Sequence, residues 1–230
     1  MAQLIVALDY TDALDALNMA NSLRGSAKWM KVGLELFTRE GPRVVQTLKS
    51  MGFKVMLDLK MFDIPNTVRG GVRAATWIGV DMITLHLLGG EHMIREAVEE
   101  AHLAAVDREP PMLFGVTVLT SMAQGDLPGY DLNLSTFAGA LAEAGERWGL
   151  NGVVCSGHEV HDIKARCPHL HCLTPGIRLA SDNTDDQHRI MTPGKAVQAG
   201  SDYLVVGRPV TRAKDPSAAA RAILAEMNSI

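Results

Sequence analysis

Short apolar runs alternate with amphipathic helical stretches along this whole chain, and that alternation limits its fold more than any single motif. Residues 4–8, 29–34, 53–57, 82–87, 112–119, 152–155, 171–174 and 203–206 read as eight strands. They are apolar on both faces, as parallel strands covered on both sides are. Helices are expected over residues 11–23, 39–51, 65–78, 159–165 and 195–199, and from about residue 135. Between the fourth and fifth strands Ile94, Ala97, Val98, Ala101 and Ala105 form the i, i+3, i+4 stripe of a core-facing helix. Asp215-Pro216 supplies an N-cap and a first-turn proline for the last helix. Eight βα units with no low-complexity linker predict an α/β fold, a (β/α)8 TIM barrel forming a single domain over residues 1–230. A doubly wound open sheet is the alternative, but Asp9-Tyr10-Thr11-Asp12 stands where its Gly-rich dinucleotide fingerprint belongs.

Composition narrows the function. At 230 residues and 47% hydrophobic, the chain can bury a full core. A formal charge of −4 argues against a nucleic-acid binder, because phosphate-backbone affinity rests on clustered Lys and Arg. Any phosphate bound here is expected to be held locally by a few residues. Cys155, Cys167 and Cys172 have neither CxxC spacing nor histidines at zinc-ligand intervals, which fits a reducing compartment better than a disulfide framework. The N-terminal apolar run lacks a basic flank and is too short for a signal peptide, and no stretch approaches 18 apolar residues. The expectation is a cytoplasmic protein with no membrane partner.

The run Val55-Met56-Leu57-Asp58-Leu59-Lys60-Met61-Phe62-Asp63-Ile64-Pro65-Asn66-Thr67 ends the third strand in charge. If the chain stays extended, Asp58 and Lys60 face the same side, about 6.6–6.8 Å apart. Asp63 is out of that alternation, so it joins them only if the loop turns or if it serves a neighbouring subunit. A salt-bridged loop that caps the next helix is the competing reading. In barrels of this kind active sites lie at the C-terminal strand ends. Polar residues there are Asp9, Lys31, Glu35, Asp58, Lys60, Asp63, His86, Thr120, Ser121, Cys155, Ser156, Arg178, Gly207 and Arg208. Taken singly, His86 reads as a hydrogen-bonded rim residue and Cys155 as a core thiol.

The seventh and eighth strand ends carry more. Thr174-Pro175-Gly176-Ile177-Arg178 and Val206-Gly207-Arg208-Pro209 each pair a glycine with an arginine, where such barrels often bind phosphate. Glycine admits an anion close to the backbone, and guanidinium matches phosphate oxygens in a forked geometry. Gln187 could add a donor. The candidate site is therefore a set of acids and lysines facing a phosphate ester, with no metal cluster and no cofactor demanded. Flanking carboxylates favour a charged Lys60, which suits proton donation or carbanion stabilisation rather than Schiff-base chemistry.

These residues, with Val6-Ala7-Leu8-Asp9, Lys31-Val32-Gly33, Val118-Leu119-Thr120-Ser121-Met122 and Arg189-Ile190-Met191-Thr192-Pro193, resemble the orotidine 5′-phosphate decarboxylase family in order over essentially the whole chain. Met61-Phe62 departs from the expected Phe-His. The resemblance implies a homodimer with shared active sites that converts orotidine 5′-monophosphate to uridine 5′-monophosphate and CO2 in pyrimidine biosynthesis, without cofactor or metal. It implies Lys60 as proton donor to C6, within a network of Lys31, Asp58, Lys60 and Asp63, the last reaching the partner subunit's site. It further implies that Asp9 and Lys31 bind ribose hydroxyls and Thr120 the base region. Ile64 and Thr67 belong to the same implied substrate site, and Arg178, Gln187, Gly207 and Arg208 hold the phosphate. Two alternatives stand: a metal-dependent sugar-phosphate decarboxylase or aldolase of the same superfamily, and a non-catalytic nucleotide-phosphate-binding barrel. Relatives of the first kind place a metal-binding acid where Lys31 stands.

Overall fold

A computed structural model describes residues 1–126, 132–178 and 191–229. The described residues form eight parallel strands: Gln3–Leu8 (β1), Trp29–Gly33 (β2), Lys54–Met61 (β3), Met82–His86 (β4), Met112–Val116 (β5), Gly152–Val154 (β6), His171–Thr174 (β7) and Tyr203–Val206 (β8). They pair in sequence order, and β8 closes back onto β1 with Leu4 opposite Leu204. The helices Ala13–Ser22 (α1), Leu34–Glu40 (α2), Pro42–Ser50 (α3), Pro65–Trp77 (α4), Gly90–Ala104 (α5), Leu134–Arg147 (α6), Val160–Arg166 (α7), Pro193–Gln198 (α8), Arg208–Thr211 (α9) and Pro216–Met227 (α10) lie between and after the strands. This is the expected (β/α)8 barrel.

Alternation along each strand builds two buried layers. Leu4, Val6 and Leu8 share an outer layer with the helix residues Ala16, Ala20, Leu48 and Val72. Ile5 and Ala7 face the other way and pack with Trp29, Met56, Met82, Phe114, Leu173 and Val205 inside the barrel. Each buried Leu, Ile or Phe favours the folded state by about 1.5–3 kcal/mol over exposure. Gly152 makes the inner layer possible: a Cβ there would run into the Phe114 ring and the His171 carbonyl.

Local chemistry sets the element ends. Asp12 caps α1 by accepting the Asp15 N–H at 3.0 Å, and Asp215 caps α10 through Ala218 at 2.9 Å, ahead of Pro216. Three departures from the sequence reading have physical causes. The helix expected over 39–51 begins at Pro42, and residues 39–40 instead end a separate helix that starts at Leu34, because Gly41 at φ 65° turns the chain. The third strand continues through its charges to Met61, with its register against β4 shifting between Leu57 and Met61. A short helix, α9, forms directly after Gly207. No helix among the described residues is long and apolar enough to cross a membrane.

Candidate active site

The inward rungs of the barrel end in three charged residues, a threonine and a glycine. Two residues beyond Ala7, Trp29, Met56, Met82 and Val205 stand Asp9, Lys31, Asp58, Thr84 and Gly207. The period of two that buries the core therefore also aims these side chains into the C-terminal mouth. Asp9, Lys31, Asp58, Lys60, Thr120, Arg178, Gly207 and Arg208, all singled out from sequence, line one cavity of about 590 Å³.

On the cavity floor the charges alternate. Lys60 Nζ lies 2.9 and 3.0 Å from the two Asp58 carboxylate oxygens. Lys31 Nζ lies 3.5 Å from Asp58 Oδ2 and 3.0 Å from Asp9 Oδ1. Thr84 Oγ1 donates to Asp58 Oδ1 at 2.9 Å and accepts the Lys60 backbone N–H at 3.0 Å. Asp58 is thus held between two ammonium groups with its side chain 11% exposed. Burial alone would raise its carboxyl pKa, but Lys31, Lys60 and the hydrogen bonds from Lys60 and Thr84 outweigh this and hold it below the usual carboxylate range. Burial alone would likewise lower the Lys31 pKa, and Asp58 and Asp9 reverse it, so this ammonium is firmer than an ordinary lysine's. Both groups are ionised at neutral pH.

Lys60 adopts φ 50°, which interrupts the extended alternation expected for Asp58 and Lys60. A non-glycine residue in this region costs about 1–3 kcal/mol and persists only where its surroundings hold it. Thr84 supplies that hold, and the bulge lets Lys60 turn back onto Asp58 rather than stand parallel to it. Phe62, in the place where the resemblance expects His, packs its ring 5.5 Å from that of His86. His86 does not line the cavity; burial, then the Lys60 charge, keeps its pKa below that of a free histidine.

Asp63, Ile64 and Thr67 stand apart. All three are exposed, none lines the cavity, and Asp63 Oδ1 accepts the Ile64 N–H at 2.6 Å. Gln187 lies outside the described residues. Glu35, Ser121 and Ser156 do not line the cavity, and Cys155 is a fully buried core thiol. Thr84, Tyr10, Thr211 and Arg212 were not singled out from sequence. The signal for Thr84 was its place two residues after an inward Met82; the other three had none. Among the described residues no group of three His, Cys, Asp or Glu side chains could hold a metal ion.

A closed barrel with lysines and carboxylates at its mouth and arginines after its seventh and eighth strands has the layout of a barrel enzyme. The orotidine 5′-phosphate decarboxylase / HUMPS family profile matches residues 2–223, and the chain belongs to that family. It is 59% identical over 217 residues to an orotidine 5′-phosphate decarboxylase of Lawsonia intracellularis, covering 94% of this chain and 95% of that one. It is also 59% identical over 233 residues to one from Nitratidesulfovibrio vulgaris strain DP4, covering 100% and 99%. A crystal structure of orotidine 5′-phosphate decarboxylase from Lactobacillus acidophilus superposes with a TM-score of 0.89 at 35% identity, over all of both chains.

Proposed function

We propose that this chain decarboxylates orotidine 5′-monophosphate to uridine 5′-monophosphate and CO2 in pyrimidine biosynthesis, without metal or organic cofactor. The observation that carries the reading is the Lys31–Asp58–Lys60 chain on the floor of a cavity whose wall bears Arg178, Gly207 and Arg208. Breaking the C6–carboxylate bond leaves its electron pair in an in-plane orbital that the pyrimidine π-system cannot delocalise. Stabilisation must then be electrostatic. An ammonium about 4 Å away contributes roughly 4 kcal/mol at an effective dielectric of ~20. Enzymes lower barriers by about 8–23 kcal/mol, so Lys60 is one contributor among several. Lys60 then delivers its proton to C6 as CO2 departs.

Asp58 has two tasks in this scheme. It fixes both ammonium groups, and its charge opposes the substrate carboxylate, so loss of CO2 relieves the repulsion. Asp9 and Lys31 bind the ribose hydroxyls and Thr120 the base region. Arg178, Gln187, Gly207 and Arg208 grip the phosphate, whose binding energy is spent on orienting C6 over Lys60. The exposed Asp63, Ile64 and Thr67 act in the partner subunit's site of a homodimer, in the cytoplasm. Support for this comes from exposed Leu34, Phe62, Ile64 and Leu88, apolar residues that follow β2, β3 and β4.

The purified chain, given orotidine 5′-monophosphate and excess EDTA, should release uridine 5′-monophosphate and CO2. A folded sample that shows no turnover, or turnover that needs added magnesium, would sink this reading. Lys60→Ala should lose at least about a thousandfold in kcat while still binding uridine 5′-monophosphate. Substantial residual activity would remove Lys60 as the proton donor.

A further inference from the structure

Directly after the short helix α9 stands a cation, Arg212, for which neither the sequence motifs nor the proposed mechanism has a use. The Arg212 backbone N–H donates to the Arg208 carbonyl at 3.0 Å. That i, i+4 relation places Arg208 and Arg212 on one side of the turn. Arg212, Thr211 and Arg208 all line the cavity, as does Tyr10. Burial, then Asp15, raises the Tyr10 pKa, so its phenol stays a neutral donor. Among the described residues no carboxylate pairs with Arg212. Among the described residues, those lining the cavity with charge are five cations, Lys31, Lys60, Arg178, Arg208 and Arg212, and two carboxylates, Asp9 and Asp58. The whole chain carries a formal −4, so the described lining residues run against the overall charge.

We infer that Arg212 is a further substrate-binding residue: a third guanidinium at the phosphate end of the cavity, engaging the outer oxygens of a phosphate monoester dianion and drawing the ester in. The inference rests on the proposed function for the identity of that ester. A phosphate monoester is close to a dianion at neutral pH, and the substrate adds a carboxylate. Arg178 and Arg208, on consecutive strand ends, can each fork onto two phosphate oxygens. Arg212 stands one turn further out, exposed to solvent, where an approaching anion arrives first. Charges placed at the rim of a low-dielectric cleft raise the rate of anion capture, and salt screens the effect. Arg212 therefore separates phosphorylated from unphosphorylated nucleosides and contributes little to the bond-breaking step.

The test compares wild type, Arg212→Gln, Arg212→Lys and Arg43→Gln. The last removes an exposed positive charge from α3, outside the cavity, and controls for net charge. In Arg212→Gln, kcat/KM at low ionic strength should fall about three- to tenfold, mainly through KM, and its decline with added salt should flatten. Calorimetry should show the same loss for uridine 5′-monophosphate and none for uridine. Arg212→Lys should restore the salt dependence, and Arg43→Gln should behave as wild type. Equal salt slopes and nucleotide affinities in wild type and Arg212→Gln overturn the inference, as does an equal loss for uridine or in Arg43→Gln. Binding is read without turnover, so a chain that binds uridine 5′-monophosphate but does not decarboxylate overturns the activity alone. A wild-type chain that fails to bind the nucleotide overturns both.

Discussion

Thr84 shows how much of the site depends on a residue with no chemistry of its own. Its hydroxyl donates to Asp58 and accepts from the Lys60 backbone, so one atom fixes both the carboxylate and the strained lysine. Thr84→Val keeps the shape, leaves a buried N–H unpaired and removes one hydrogen bond from the carboxylate. Such a loss costs about 1–3 kcal/mol, which, if carried wholly into the barrier, corresponds to roughly five- to 150-fold in kcat. The pH dependence follows from the sign of the Asp58 shift. A depressed carboxyl pKa contributes stability above the unfolded-state pKa, and that contribution is lost as pH falls through the folded value. Without Thr84 the folded value rises, so the acid limb of the activity profile should begin at higher pH than in wild type. An unchanged acid limb would show that Asp58 is held by the lysines alone.

Among the elements, α4 and α5 are tied by charge rather than by apolar contact alone. Glu100 is buried and accepts from Arg73 Nε at 2.5 Å and Arg69 Nε at 2.6 Å, and Arg69 also reaches Glu96 at 2.8 Å. The Arg73 hydrogen bond, then that of Arg69, outweighs burial and brings the Glu100 carboxyl down to about 2. Its stabilisation is therefore complete above the ordinary glutamate range near pH 4.3 and disappears as pH falls from there toward 2. Glu100→Gln should lower the urea midpoint at pH 7 by about 0.3–0.5 M, a modest effect because both guanidinium groups are partly solvated. The gap between variant and wild type should close as pH drops below about 4. A gap at pH 2.5 as wide as that at pH 7 would mean the loss is one of packing. Because α4 begins just after the Asp63 loop, this link also steadies the base of that loop.

At the scale of the molecule, the proposed dimer makes each site a composite. Lys60 would come from one subunit and Asp63 from the other, which permits a mixing experiment. Lys60→Ala and Asp63→Asn dimers, each impaired, should recover up to about a quarter of wild-type activity after subunit exchange, because half the dimers are mixed and each mixed dimer holds one intact site. Recovery absent despite demonstrated exchange would place Asp63 in its own subunit's site. Ile64 and Phe62, 68% and 59% exposed, should become protected from solvent in the same assembly.

Much of this protein was legible in one dimension. Hydrophobic patterning is a local property, so the eight strands and the helices between them could be read from residues two to four apart. The same reading placed Asp9, Lys31, Asp58, Lys60, Thr120, Arg178, Gly207 and Arg208 at one mouth. What only the tertiary structure decided were relations between residues distant in sequence or dependent on backbone detail. Thr84 meets Asp58 across a β3–β4 register shift that no periodicity announces. Gly41 breaks a helix that its flanking residues would continue. Arg212 enters the cavity because α9 turns the chain directly after Gly207. The two-residue period of a strand specifies which residues share a face, whereas contact depends on where closure of the barrel brings that face.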